Sequence, residues 1–417
     1  MRILYSLAIG IYALGVRCAA LFNNKAALMR KGWHKWEAKF PKQTINGKKT
    51  AWFHASSLGE FEQARPVMEQ FRSQHPEYKI VLTFFSPSGY EVRKNYDGAD
   101  IVCYLPPDTR RNARMLMQTI HPDIALFVKY DFWFNYLDAL RRRGTPTYLF
   151  SSIFRPSQYF FKWYGSWFAR QLQCYRHIFV QNEESLKLLR NVSVNRCSIA
   201  GDTRFDRVSA IAQQAQRFPA VERFIGHTDT PVLMAGSSWE PDEANIHHFA
   251  QSYSRHIKLI LAPHLIGESH LQQIEKLFGP DNCIRYSHID PDSDDDTASQ
   301  RNVLIIDNIG MLSSLYRYAT VAYIGGGFGR GIHNTLEAAI FGCPVCFGPN
   351  YQKFQEARQL IDCGGARSYQ TASQLCDILS QWFDDDASRQ AAAKACNDYM
   401  QSHLGATRQI TDTIETR

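Results

Sequence analysis

Residues 323–360 read YIGGGFGRGIHNTLEAAIFGCPVCFGPNYQKFQEARQL, and this stretch decides the fold. An apolar strand ends at Ile324. The three glycines that follow, Gly325, Gly326 and Gly327, let backbone N–H groups come close to an anion. A helix is expected to open near Asn334, with its free N–H groups and positive dipole end turned to the same place. Glu337 falls one turn in, where a carboxylate can accept from a ribose diol. A second apolar run, PVCFGP (344–349), makes the next strand, and Gly348 and Pro349 turn beside the same cleft. Strand, turn, helix and strand in this order belong to a parallel sheet with helical crossovers. On the plainer reading the glycines serve only tight packing, since GGGFGRG is neither the dinucleotide fingerprint nor a P-loop. With HNTLEAA and GPN following in order, nucleotide binding is favoured.

Working outward, the same alternation runs through most of the chain. Strands are expected at 50–55, 78–85, 100–105, 124–128, 146–150, 177–181 and 196–201, with helices at 60–74, 89–96, 108–120 and 133–143 between them. A polar stretch, 205–228, carries no strand signal. Beyond it strands recur at 232–237, 258–263, 302–307, 320–326 and 344–349. The expected organisation is a segment 1–49, an α/β domain 50–208, a linker 209–230, a second α/β domain 231–395 and a C-terminal helix 396–417 that can pack back on the first domain. Two such domains hold ligands in the cleft between their strand C-termini. The acidic stretch 288–301 lacks the ligand alternation of a calcium loop and reads as solvated.

The net charge of +7 is local. Residues 1–50 hold ten Lys and Arg against one acid, Glu37, and the remainder is slightly acidic. This basic block follows the apolar run ILYSLAIGIYALGVRCAALF (3–22), broken only by Arg17. An anchor held on the cytoplasmic side by its basic flank is expected, with a buried or interfacial helix as the alternative. Nucleic-acid binding is disfavoured, because the basic charge adjoins an apolar anchor and no aromatic groove. The ten cysteines are scattered and read as reduced thiols, Cys343 and Cys346 included.

HASSLGE (54–60) is the second informative stretch. A strand ends in small residues, Ser57 and Gly59 make a tight exit, and Glu60 opens a helix whose N-terminus favours a negative charge. Ser86, Ser88 and Gly89 follow the next strand at the same sheet edge, where a plain Ser-Pro-Ser-Gly turn is an equal alternative. His54 reads as a packing residue.

These stretches in order resemble the bacterial 3-deoxy-D-manno-octulosonic acid (Kdo) transferases of lipopolysaccharide assembly. The resemblance is carried by RKGW (30–33), HASSLGE, FFSPSGYE (84–91), YDFWFN (130–135), SSIFRPS (151–157), GDTRFD (201–206), GSSWEPDE (236–243), APH (262–264), GGGFGRGIHNTLEAA (325–339) and FGPNYQKF (347–354). It implies a GT-B fold of two Rossmann-like domains facing a cleft, with an N-terminal membrane anchor helix. It further implies Kdo transfer from CMP-Kdo to a lipid A precursor (lipid IVA) by an inverting, metal-independent displacement, with no cofactor.

By the same resemblance Glu60 is the catalytic base and Asp131 an auxiliary acid, although a lysine and this shorter acid replace two glutamates of the family motif. Donor contacts fall on Arg204, Ser237, Pro263, His264, Gly325, Gly326, Gly327, Asn334, Glu337, Gly348 and Pro349. The family's arginine is absent beside His264. Acceptor contacts fall on Ser57, Gly59, Ser86, Ser88, Gly89, Arg30 and Lys31, the last two toward acceptor or membrane phosphates. The implied partners are CMP-Kdo, the lipid A precursor and inner-membrane lipid at the cytoplasmic face, without nucleic acid. The rivals are a UDP-sugar transferase or epimerase of the same fold, or a non-catalytic lipid-binding protein.

Overall fold

The computed structural model of the chain describes residues 1–40, 48–226, 229–293 and 296–414. Lys42 of the basic block, 227–228 of the expected linker, 294–295 of the acidic loop and 415–417 of the expected C-terminal helix lie outside them. The chain divides into two compact units: Met1–Arg207 with His403–Arg417, and Val208–Ser402.

In the first unit the strands are β1 (Lys49–Ala55), β2 (Tyr78–Phe84), β3 (Ile101–Tyr104), β4 (Ile124–Val128), β5 (Thr147–Ser152), β6 (His177–Val180) and β7 (Cys197–Ile199). They form one parallel sheet in the order β3-β2-β1-β4-β5-β6-β7. All five residues of β4, IALFV, are buried, as befits a sheet covered on both faces. Consecutive side chains of β1 serve opposite faces. Trp52 belongs to a core with Leu137, Phe127 and Leu149. Phe53 belongs to another with Phe61, Phe71 and Phe84, under the helix Leu58–Gln74.

The second unit repeats the plan with β8 (Val232–Ser238), β9 (Lys258–Pro263), β10 (Cys283–Arg285), β11 (Val303–Ile305), β12 (Val321–Ile324), β13 (Val345–Phe347) and β14 (Ala366–Ser368), ordered β10-β11-β9-β8-β12-β13-β14. Two of these, β10 and β14, escape the sequence pattern. They are three-residue edge strands, Cys-Ile-Arg and Ala-Arg-Ser, too short and too polar to read as apolar runs.

The polar stretch after β7 carries two helices, Arg204–Gln213 and Pro219–Ile225. Of the expected C-terminal helix, residues up to Ser402 belong to the helix Asp386–Ser402 of the second unit. Only the helix Ala406–Thr413 returns to the first, where Ile410 and Ile414 enter the Phe53 core. Asp206 accepts from the backbone N–H groups of Gly405 (2.7 Å) and Thr407 (2.6 Å).

The helix Arg2–Ala19 has the length and composition to cross a membrane, with a mean hydropathy of 1.3. One side packs on the first unit. Tyr5 donates to Asp108 at 2.6 Å and meets Phe134 edge-on at 4.9 Å, and Arg2 pairs with Asp138. Ile3, Leu4, Leu7, Ile11 and Leu14 stay exposed.

Candidate functional site

HASSLGE organises both candidate carboxylates. Ser57 is the N-cap of the Leu58–Gln74 helix, and its hydroxyl donates to the carboxylate of Glu60 three residues on. The neighbouring Ser56 donates to Asp131, which follows β4. Adjacent serines thus hold the two acids. Asp131 is buried, and among the described residues its Oδ2 has no hydrogen-bond partner. Burial first, then the nearby negative charge of Glu60, pushes its carboxyl well above the usual range, against the opposing Ser56 hydrogen bond. That shift favours the protonated form of Asp131.

His54 lies under this pair, fully buried, and desolvation pulls its imidazole down to about 3. Its Nε2 accepts from Trp133 at 3.0 Å, which leaves the proton on Nδ1, facing Thr83 Oγ1 at 2.8 Å. A neutral ring 3.8 Å from Asp131 is a spacer and no ion-pair partner.

Backbone strain marks the same strand ends. Of six non-glycine residues at positive φ among the described residues, three (Lys129 at 60°, Ser151 at 50° and Ser237 at 54°) stand at or near strand C-termini. Lys129 opens the turn that carries Asp131. Tyr130, between them, lies beneath the Arg155 guanidinium, 6.0 Å from its ring centre, with Glu60 among the charges acting on it. Ser151 bonds Thr203 at 2.9 Å, which ties GDTRFD to SSIFRPS.

The expected acceptor residues gather here in part. The Ser86 N–H donates to the Ser56 carbonyl at 2.8 Å, and a Cβ on Gly89 would lie 2.3 Å from the Phe84 ring. Ser86 caps the helix Pro87–Arg93 and bonds Ser88 at 3.0 Å, so the plain turn reading describes these two hydroxyls. Gly59 is open and exposed. Arg30 and Lys31 are exposed in the last turn of the helix Asn24–Trp33. That helix connects to HASSLGE through a row of rings: Trp33 to Phe85 (6.0 Å), Phe85 to Trp133 (4.7 Å) and Trp133 to His54 (6.0 Å).

Arg204 belongs to the first unit, so it does not join the other expected donor residues within one unit. Its guanidinium is engaged by buried Asp202 at 2.8 Å, and Gln63 bonds the same carboxylate at 2.9 Å.

In the second unit Ser237 sits at an irregularity in the β8–β9 pairing, where the register shifts between Gly236 and Ser238. A Cβ on Gly325 would come within 2.2 Å of the Ser237 carbonyl oxygen, and one on Gly327 within 2.6 Å of the Gly348 backbone. The glycines are required for packing. Two expectations need correction. The Gly325 N–H donates to Gly236 O and the Gly326 N–H to Asp242 Oδ2, each at 2.9 Å, so neither amide is open to an anion. The helix expected near Asn334 is the single turn Leu336–Ala339, too short to sum peptide dipoles into a strong field. Gly326 at φ 91° and Gly331 at φ 137° keep the chain irregular up to that turn.

Side chains therefore supply this site's polar groups. Asn334 donates to Glu337 at 2.9 Å and accepts from the Leu336 N–H at 3.2 Å. His264, just past buried Pro263, stacks between Trp239 and His333, with 4.6 Å between ring centres on either side. Burial, then the charge of His264, lowers the His333 imidazole. Sequence reasoning missed Trp239, and of Ser56 and Asp242 it saw neither the carboxylate partner nor the glycine amide. The signal was present as Ser-Ser before Gly-Glu and as Trp-Glu-Pro-Asp, a helix opening in which Asp242 caps its own N-terminus at 3.0 Å. Pro349 and Gly348 border the same glycine turn, with the Asn350 N–H on Gly327 O at 3.0 Å.

Residues 33–207 match the family described as 3-deoxy-D-manno-octulosonic-acid transferase (kdotransferase). Curated relatives include 3-deoxy-D-manno-octulosonic acid transferases of Bordetella pertussis (26% identical, covering 87% of this chain and 86% of the relative), Chlamydophila psittaci (24%; 82% and 79%) and Aquifex aeolicus (24%; 82% and 89%). Among solved structures, UDP-GlcNAc 2-epimerase from Neisseria meningitidis is similar with a TM-score of 0.59 and 15% identity, covering 87% of this chain and 99% of that one. Acinetobacter baumannii MurG follows with a TM-score of 0.56 and 15% identity, covering 88% and 99%. These likenesses establish the GT-B fold.

Proposed function

From the match of residues 33–207 to the Kdo transferase family and the curated relatives of that name, we propose that the chain transfers Kdo from CMP-Kdo to a lipid A precursor, lipid IVA, at the cytoplasmic face of the inner membrane. The observation that carries the reading is the pair Ser56–Asp131 and Ser57–Glu60, two acids of unlike environment held by adjacent serines. Glu60, as the carboxylate, takes the proton of the attacking sugar hydroxyl while the new C–O bond forms at the anomeric carbon. The bond to CMP breaks with its electron pair on the leaving phosphate. One displacement inverts the anomeric centre. Burial pushes the Asp131 carboxyl up, which favours its protonated form and lessens the negative charge facing Glu60. Asn334 and Glu337 are assigned to the nucleotide. His264 and His333, where the resemblance leads one to expect an arginine, are assigned to its phosphate.

The test is incubation with CMP-Kdo and a tetra-acylated lipid A precursor, read by mass. A product heavier by one or more Kdo units supports the proposal, and the increment counts the residues added. No mass gain, together with binding of UDP in place of CMP by calorimetry, would move the protein to the UDP-sugar enzymes of the same fold.

A further inference from the structure

Away from Glu60, the helices Arg110–Ile120 and Phe134–Arg143 enclose a groove of about 590 Å³. Five of its eleven lining residues are arginines: Arg2, Arg110, Arg114, Arg142 and Arg143. Asp138 is the one acid, and it is already shared by Arg2, Arg141 (3.1 Å) and Arg142 (2.8 Å). Among the described residues, Arg110, Arg114 and Arg143 are exposed and make no ion pair.

The arrangement is not explained by the fold. Arg141–Arg143 close their helix, where cations suit the dipole, but Arg110 and Arg111 open theirs, where the dipole opposes them, and no acid occupies that first turn. An anion in the groove would satisfy both the unpaired guanidinium groups and that helix end. Guanidinium forks from two walls suit a phosphate in particular, through paired N–H···O bonds. The rest of the lining is Ala113, Met117 and Ala139, which are apolar, with Gln118 and Asn135, which are neutral and polar. From Arg2, on its rim, the N-terminal helix continues at once into exposed Ile3, Leu4 and Leu7.

We propose that this groove binds the phosphate headgroup of an anionic bilayer lipid, with the exposed side chains of the Arg2–Ala19 helix resting in the adjoining acyl region. The site is separate from the basic block at 25–49 and from the residues assigned to catalysis. It also gives the apolar helix a lie along the membrane surface, since its other side is fixed to the first unit through Tyr5 and Arg2.

Cosedimentation of the full chain with phosphatidylglycerol and phosphatidylcholine vesicles tests this. Each basic residue at an anionic surface is worth about 1 kcal/mol, or roughly fivefold. The triple variant Arg110→Gln/Arg114→Gln/Arg143→Gln should therefore lose on the order of 100-fold in affinity for phosphatidylglycerol vesicles. A control triple of equal charge change, Lys187→Gln/Arg190→Gln/Arg196→Gln, should stay within about threefold of the parent protein. Should the groove triple fold poorly by circular dichroism, the pair Arg110→Gln/Arg143→Gln, one residue from each wall, should still lose about 25-fold by the same constant. Equal losses in both triples would reduce the effect to diffuse charge and overturn the site. An unchanged groove variant would overturn it as well. Calorimetric binding of inorganic phosphate that disappears in the groove triple while vesicle binding persists would make it a soluble-anion site and overturn the lipid assignment.

Discussion

At the scale of single residues, Glu60 is the sharpest commitment. Glu60→Gln keeps the volume and a hydrogen-bond acceptor for Ser57 but cannot take a proton. Turnover should fall about 10²–10⁴-fold, with CMP affinity by calorimetry unchanged. Normal turnover would remove Glu60 from the role of base. The residue itself was legible as a glutamate opening a helix after a strand of small residues. Its setting was not. That Ser56 and Ser57 divide the two carboxylates between them depends on the distance between the ends of β1 and β4, and spacing along the chain carries no information about it. Arg204 shows the same limit from the other side: a cation in the right motif, engaged by the aspartate two residues before it.

At the scale of elements, apolar runs gave twelve of the fourteen strands among the described residues, because parallel strands buried on both faces need uninterrupted hydrophobicity. Edge strands β10 and β14 lack that requirement and stayed hidden. The glycine turn after β12 was legible as a turn, but the partners of its amides belong to other elements, Gly236 of β8 and Asp242 of the helix after it. Gly327→Ala tests the packing role. Its Cβ would sit 2.6 Å from the Gly348 backbone, which cannot yield as a flexible side chain would. Overpacking of about 1–3 kcal/mol should lower the melting temperature of the second unit by roughly 2–12 °C, with nucleotide affinity falling alongside. A variant as stable as the parent would refute the tight-packing account.

Attachment of the N-terminal helix gives a pH prediction at the same scale. Burial, opposed by the Tyr5 hydrogen bond and two backbone N–H groups, pushes the Asp108 carboxyl up from 3.8 to about 6. The folded protein thus keeps a proton that the unfolded chain releases near pH 4. This contribution to stability is complete below that value and is lost as pH rises from about 4 to about 6. Denaturant midpoints followed over that window should decline for the parent more steeply than for Asp108→Asn, which has no proton to release. Parallel curves would disprove the assignment.

At the scale of the whole molecule, two α/β units could be read from the restart of the strand–helix alternation after 231. A C-terminal helix packing back on the first domain was expected, but which residues near the chain's end enter that domain's core could not be read. Ile410 and Ile414 are apolar residues in a short helix, and only the fold shows that they fill the core beneath Phe53 and Phe71. Truncation after Ser402 should destabilise the first unit by about 4 kcal/mol or more, the scale of losing two buried isoleucines, and leave the second unit's transition in place. Calorimetry would resolve the two. An unaltered first transition would mean that the returning helix is dispensable.

That return also orders the protein's birth. On the ribosome the first unit emerges first, yet its core stays unfinished until residues 403–414 arrive, after some two hundred intervening residues have been made. The second unit, contiguous in the chain, can close while its elder waits. For that interval the newborn first unit holds an open hydrophobic seam on one face of its sheet and an apolar N-terminal helix against the core of the other, a form suited to chaperones or to early capture by the membrane surface.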